Sequence, residues 1–303
     1  MPPRTAAVLQ AFIVTFLWST SWVLIKIGLD EIPALTFAGL RYVLAFLCLL
    51  PLALRSANRA ALRRLSISDW RELAVLGLVL YSVTQGAQFL ALVYLPAQTV
   101  SLVLSFSPVA VALIGVVALG ERTVAAQWFG VAMFLAGAVM FLYPIPGGQA
   151  LGLVIAVVGL VSNALAAIVG RKVNRGHRLS PVVVTVASMG IGSIALLVTG
   201  VTTQGMPALS SAGWLIVTWL AVVNTAVAFT LWNHTQRTLS ALESSVVNNT
   251  MLIQIAVLAW LFLDESLGPR KITGLVLAAT GVLIVQLRGL PLRRARWLGR
   301  TRV

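Results

Sequence analysis

Two long apolar runs joined by a short charged corner occur twice in this chain. The first copy spans Tyr94 to Tyr143, YLPAQTVSLVLSFSPVAVALIGVVALGERTVAAQWFGVAMFLAGAVMFLY, with its corner at Gly120-Glu121-Arg122-Thr123. The second copy carries Ser240-Ala241, Ser245, an apolar run, Asp264-Glu265-Ser266, then Gly274 and Gly281. Ala97/Ala241, Ser101/Ser245, Glu121/Glu265, Gly130/Gly274 and Gly137/Gly281 share one offset of 144 residues. A spacing held over so many pairs marks an internal duplication.

The duplicated material is built for lipid. Of 303 residues, 59% are hydrophobic and 10% are charged, against about 25% charged in a soluble domain. So little polar surface cannot clothe a soluble globule of this size. A helix needs about 20 apolar residues to cross the bilayer core. Ten runs qualify: 7–28, 33–54, 72–94, 97–119, 124–143, 150–170, 181–201, 212–233, 243–263 and 270–288. Pro33, Pro96, Pro181 and Pro269 sit at or near run starts, where a missing first-turn N–H costs nothing. The first run is too long for the apolar region of a cleaved signal peptide. Cys48, the single cysteine, lies within an apolar run and is expected to be a buried small hydrophobe.

Net charge is +14, but its placement points to topology, not to nucleic acid. Most Lys and Arg fall in segments that lie inside if the N-terminus is inside, while the outer loops hold Arg270 and Lys271. That bias orients membrane helices and places both termini in the cytoplasm, with the basic tail 289–303 against the inner leaflet. The halves are then 7–143 and 150–288, with five helices each. An odd number inverts the second half relative to the first. The expected fold is an all-α integral membrane protein of ten transmembrane helices in two inverted five-helix repeats. Inverted repeats are a recurring build of secondary transporters, with the site near the midplane.

Polar side chains at membrane depth face a bundle interior or a wet cavity. Run 1 sets Thr15, Trp18, Ser19 and Trp22 on one stripe. Run 3 aligns Tyr81, Gln85 and Gln88, and run 4 aligns Gln98, Ser101, Ser105 and Pro108. Asn163 follows on run 6, Asn224 on run 8, and Ser244, Ser245, Asn248 and Asn249 on run 9. Trp18, Ser19, Tyr81, Gln85, Ser101, Ser105, Asn163, Asn224, Ser244, Ser245 and Asn248 are therefore the candidate substrate-binding residues. Each has a competing reading. A membrane serine also bonds a carbonyl of its own helix, and a buried amide also ties helix to helix. Trp70, Trp128 and Trp214 read as an interfacial belt.

Runs 5 and 10 carry small residues at heptad spacing, which suits close packing against other helices or a second protomer. Lys26 is close enough to an end to reach water, with Asp30 and Glu31 nearby. Arg41 sits about 12 Å down its helix at 1.5 Å per residue. It must pair, reach water or contact an anion. Glu121 and Glu265 fall at membrane surfaces, where capping of runs 5 and 10 or pairing with Arg122 and Arg270 is expected. Pro108 removes a helical hydrogen bond from Leu104 and predicts a kink.

His177 and His234 stand apart from any nucleophile or ligand set, and no phosphate-binding glycine loop is present. Neither an enzyme nor an ATP-driven pump is expected, and no cofactor or metal is called for.

At this point the chain resembles the EamA-type branch of the drug/metabolite transporter superfamily. The likeness covers nearly all of residues 7–288. It rests on the duplicated five-helix unit, Leu17-Trp18-Ser19 through Lys26, Arg41-Tyr42 with Ala45, and Pro108, Gly120-Glu121, Gln127, Gly130 and Gly137. These are echoed by Leu263-Asp264-Glu265, Gly274 and Gly281. Family members often carry a second proline in run 9; here Leu252 stands in its place, so a symmetric proline hinge is not expected. The resemblance implies a ten-helix carrier of small metabolites, commonly an exporter in the bacterial inner membrane. The uncharged, aromatic-containing lining looks most like YddG-type exporters of aromatic and neutral amino acids.

The leading expectation is thus a non-ATP exporter of a neutral or zwitterionic small-molecule substrate, working by alternating access within the lipid bilayer as a monomer or homodimer, with no nucleic-acid partner. A carrier of phosphorylated or nucleotide-linked metabolites using Arg41, and a non-transporting membrane scaffold or sensor, are the alternatives.

Overall fold

The computed structural model describes residues 4–111, 114, 125–143, 149–175, 179–235, 238–239 and 241–288. The corner Gly120–Thr123, His177 and the basic tail lie outside the described residues, as do the expectations placed on them. The described chain is helical throughout, with no strand among the described residues.

Its helices are α1 (Arg4–Gly28), α2 (Ala34–Ala53), the short α3 (Ser56–Arg63), α4, α5, α6 (Ala125–Leu142), α7 (Ala150–Arg175), α8 (Pro181–Gln204), α9, α10 (Ala241–Phe262) and α11 (Pro269–Arg288). Two of these change pitch midway. α4 runs Ile67–Gly77, then a π-helical stretch Leu78–Thr84, then Gln85–Tyr94. α9 runs Ser211–Ala221, a π-helical stretch Val222–Val227, then Ala228–Thr235. α5 begins as Ala97–Leu104 and resumes after a turn at Ser105-Phe106. Among the described residues, eight helices are long and apolar enough to cross a membrane, and two shorter apolar ones cover Ala97–Val111 and Val246–Phe262.

Local chemistry sets the ends. Pro33 and Pro96 precede α2 and α5, and Pro181 opens α8 behind Ser180, whose Oγ accepts from Val183 N. Ser66 and Asp69 form a reciprocal capping box at α4, satisfying two orphan N-terminal donors at once. After α10, Asp264 adopts φ 54°, a left-handed conformation that Asp tolerates better than most side chains.

The most extensive helix pairings are α6 with α11 and α2 with α8. Glycine explains the first. A Cβ on Gly130 would fall 2.7 Å from Gly281 O, and one on Gly137 2.5 Å from Gly274 O. The two backbones therefore approach as closely as small residues permit, and they run antiparallel. The expected small-residue packing of runs 5 and 10 is realised within one chain.

Much of the outer surface is apolar. Phe129, Val139, Leu215, Val276 and Leu9 are all exposed. On a soluble protein such a surface is an aggregation hazard; in a bilayer it is the solvent-facing side. Cys48 belongs to this face: it is exposed, not buried as its sequence context predicts. An apolar run in a membrane helix is apolar on its lipid side as well as its core side, so composition alone could not tell the two apart.

Candidate functional site

The two π-helical stretches organise the middle of the bundle. Leu78 and Val222, their first residues, are 144 apart. In each, a threonine hydroxyl reaches a carbonyl five residues back: Thr84 Oγ1 donates to Val79 O at 2.8 Å, and Thr225 Oγ1 to Leu220 O at 2.8 Å. Widened helical turns of this kind are frequent at functional sites. Both recruit neighbours. On α4, Ser162 of α7 donates to Val79 O, and Ser82 donates to Gly192 O of α8. On α9, Asn224 reaches α1, and Thr225 accepts from Arg41 of α2 at 3.2 Å.

Four of the expected site residues gather around this region. Asn224 is fully buried; its Nδ2 donates to Leu17 O and lies 3.2 Å from Thr20 Oγ1, while its Oδ1 is sealed without a partner among the described residues. Trp18 is half-buried and packs its ring 5.4 Å from Phe229 and 5.1 Å from Trp232. Tyr81 is buried, 5.6 Å ring to ring from Tyr42, with the Arg41 guanidinium 5.1 Å from the Tyr42 ring on the same α2 turn. Gln85, one turn beyond Tyr81, is half-buried.

The others are drawn elsewhere. Ser19 is fully buried and its hydroxyl lies 2.8 Å from Thr15 O and 2.9 Å from Gln254 Oε1, so it ties α1 to α10. Ser101 donates to Gln98 O at 2.9 Å and Ser105 to Leu102 O at 2.7 Å, each within its own helix. Asn163 donates to Ser107 Oγ at 2.9 Å, and Ser107 in turn donates to Leu104 O at 2.6 Å. That carbonyl is the one Pro108 cannot serve, so the relay repairs the kink. Ser244 is buried and Asn248 exposed near the start of α10; the Ser245 side chain lies outside the described residues. Asn249 donates to Gln286 Oε1 at 2.6 Å, joining α10 to α11.

Sequence reasoning missed Ser107, Thr84, Thr225 and Phe229. A threonine or serine beside a known breaker, as at Ser107-Pro108, was the one available signal.

The charged residues also part from expectation. Lys26 Nζ donates to the carbonyls of Leu92 and Leu95, closing the end of α4. Glu31 accepts from Ser210 N and, at 2.8 Å, from Ser210 Oγ, capping α9. This backbone hydrogen bond holds its carboxyl below the usual range. Glu265 does not cap α11 or pair with Arg270; it accepts from Ala97 N and Gln98 N and caps α5 of the other half. Lys26, Asp30, Tyr94, Asp264 and Glu265 line a cavity of about 510 Å³ at this end of the bundle. A second, apolar recess of about 400 Å³ lies between α2, α4, α7 and α8, with Ser82, Gly86 and Leu196 in its wall.

Comparison with known proteins fits this architecture. A Bacillus subtilis protein described as an uncharacterized transporter, YvbV, is 28% identical over 289 residues, covering 94% of this chain and 92% of that one. An Escherichia coli protein described as a probable amino-acid metabolite efflux pump is 26% identical over 310 residues, covering 95% and 97%. One solved crystal structure superposes with a TM-score of 0.68 at 20% identity, covering 94% of this chain and 98% of that one, and shares the fold. The model of the EamA-like transporter family matches twice, over residues 5–143 and 150–287. Two copies of one family unit, meeting at the glycine crossings of α6 and α11, place this chain in the EamA-like transporter family.

Proposed function

We propose that the protein exports small amphipathic metabolites, neutral and aromatic amino acids first among them, by alternating access around a site between the two halves. The observation that carries this reading is the mid-bundle cluster on α1 and α9. There the Trp18–Phe229–Trp232 aromatic group and the partnerless Asn224 Oδ1 come together beside a π-helical stretch of α9. Aromatic rings suit an apolar side chain, and the sealed, partnerless Asn224 Oδ1 is an acceptor that opening of the bundle would offer to an ammonium or other donor. The efflux pump from Escherichia coli, similar over nearly its whole length, supports the substrate class.

The two halves act as inverted repeats in this reading, with both termini in the cytoplasm of a bacterial inner membrane. The paired glycine crossings and the π stretches at one offset support it. No carboxylate takes part in the mid-bundle cluster among the described residues, so exchange or facilitated diffusion is favoured over proton-driven transport. Purified protein in liposomes preloaded with unlabelled amino acid should accumulate the same radiolabelled amino acid by counterflow. Absence of counterflow for all twenty would defeat the reading.

A further inference from the structure

Arg41 carries chemistry that packing does not use up. It sits within α2 and is 4% exposed. A buried guanidinium needs a counter-charge or several acceptors to offset the water it loses. Its Nε donates to Thr225 Oγ1, and Tyr42 lies under the guanidinium. The ion pairs among the described residues are Arg4–Glu243 and Lys172–Glu72; no carboxylate pairs with Arg41.

Its two terminal nitrogens have no acceptor among the described residues. The edge of the fork away from Nε is therefore buried with no hydrogen bond of its own within the described residues. The side that is fixed is the Nε side, held by Thr225 within the π stretch of α9.

We infer that Arg41 is the specificity-determining residue that binds the substrate's carboxylate, across its two terminal nitrogens. This rests on the amino-acid reading above. A planar fork with one edge anchored is preorganised for a bidentate carboxylate. A phosphate monoester, with nearly two charges, calls for more than one cation. Lys26, the other cation within the first two helices' membrane depth, is committed to the Leu92 and Leu95 carbonyls. One guanidinium with no second cation matches one carboxylate. The adjoining Tyr42–Tyr81 pair, 5.6 Å ring to ring, offers the apolar contact next to it. The coupling to α9 follows from the same bond: an anion on the fork acts on Thr225, and so on the π stretch that the threonine hydroxyl helps hold.

The test is competition in counterflow of radiolabelled phenylalanine into proteoliposomes of the full chain, using phenylalanine, phenylalaninamide and phenyl phosphate as competitors. For the wild type, the amide should compete at least about tenfold more weakly than the acid, the worth of one charge-assisted hydrogen-bond pair. Arg41→Gln should level the acid against the amide, and Arg41→Lys should keep part of the preference. Equal competition by acid and amide in wild-type liposomes overturns the inference while leaving export standing. Stronger competition by phenyl phosphate overturns the carboxylate assignment in favour of a phosphate site. Counterflow of no amino acid removes the export reading and this inference with it. If Arg41→Gln does not fold, Arg41→Lys carries the assignment, and an acid preference in it equal to the wild type's overturns the role given to Arg41.

Discussion

Gly130 on α6 and Gly281 on α11 stand back to back: a methyl added to either would meet the other's carbonyl oxygen, at 2.7 and 2.5 Å. Gly137 and Gly274 repeat the relationship, at 2.5 and 2.7 Å. Advancing Gly130 by 144 residues gives Gly274, and moving Gly281 back by 144 gives Gly137, so one crossing maps onto the other. Alanine at Gly130 or Gly274 should therefore destabilise the protein by roughly 1–3 kcal/mol, as overpacking does. Thermal unfolding in detergent would measure it, and similar losses at the two positions are expected. An unchanged melting temperature for both would show that the helices do not meet there.

The relay Asn163 Nδ2 to Ser107 Oγ to Leu104 O gives a second prediction. Ser107→Ala and Asn163→Ala should each cost about 1 kcal/mol, the net worth of a hydrogen bond. The double variant should cost clearly less than the sum, because both act through one hydroxyl. Simple additivity in a double-mutant cycle would break the relay.

Glu31 supplies a pH dependence. Its carboxyl is held below its ordinary value by the Ser210 backbone N–H, then by the Ser210 hydroxyl. A depressed carboxylate contributes stability that is present above its unfolded-state value and is lost as pH falls through the folded one. Acidification below the usual carboxylate range should loosen the cap of α9, and Glu31→Gln should flatten that part of the stability profile. Parallel profiles for variant and wild type would contradict the assignment.

How far the residues foretold this arrangement depends on the kind of signal they carry. Apolar runs, run-opening prolines and the glycines of α6 and α11 follow from period and size, and these were legible. The π stretches were not. Thr84 and Thr225 look like any membrane threonine, and only the folded helix brings their hydroxyls to carbonyls five residues back. Ser101 and Ser105 carry the right residue type, but the own-helix carbonyl wins their hydroxyls. Glu265 was read against its neighbours in sequence, whereas its partners, Ala97 and Gln98, lie in the other half. Arg41 was legible as a problem, a charge at membrane depth; only Thr225 and Tyr42 show which edge of it has no hydrogen bond among the described residues.

The central claim is a site reached in turn from both sides of the membrane, and Gln85 is the place to probe it. It is half-buried, one turn beyond Tyr81 on α4. In a Cys48→Ala background, Gln85→Cys should react with a membrane-impermeant thiol reagent added to either face of oriented vesicles, and saturating phenylalanine should slow the reaction. A cysteine at Gln85 that stays unreactive from both faces, in protein that is folded, would show a sealed bundle and contradict alternating access.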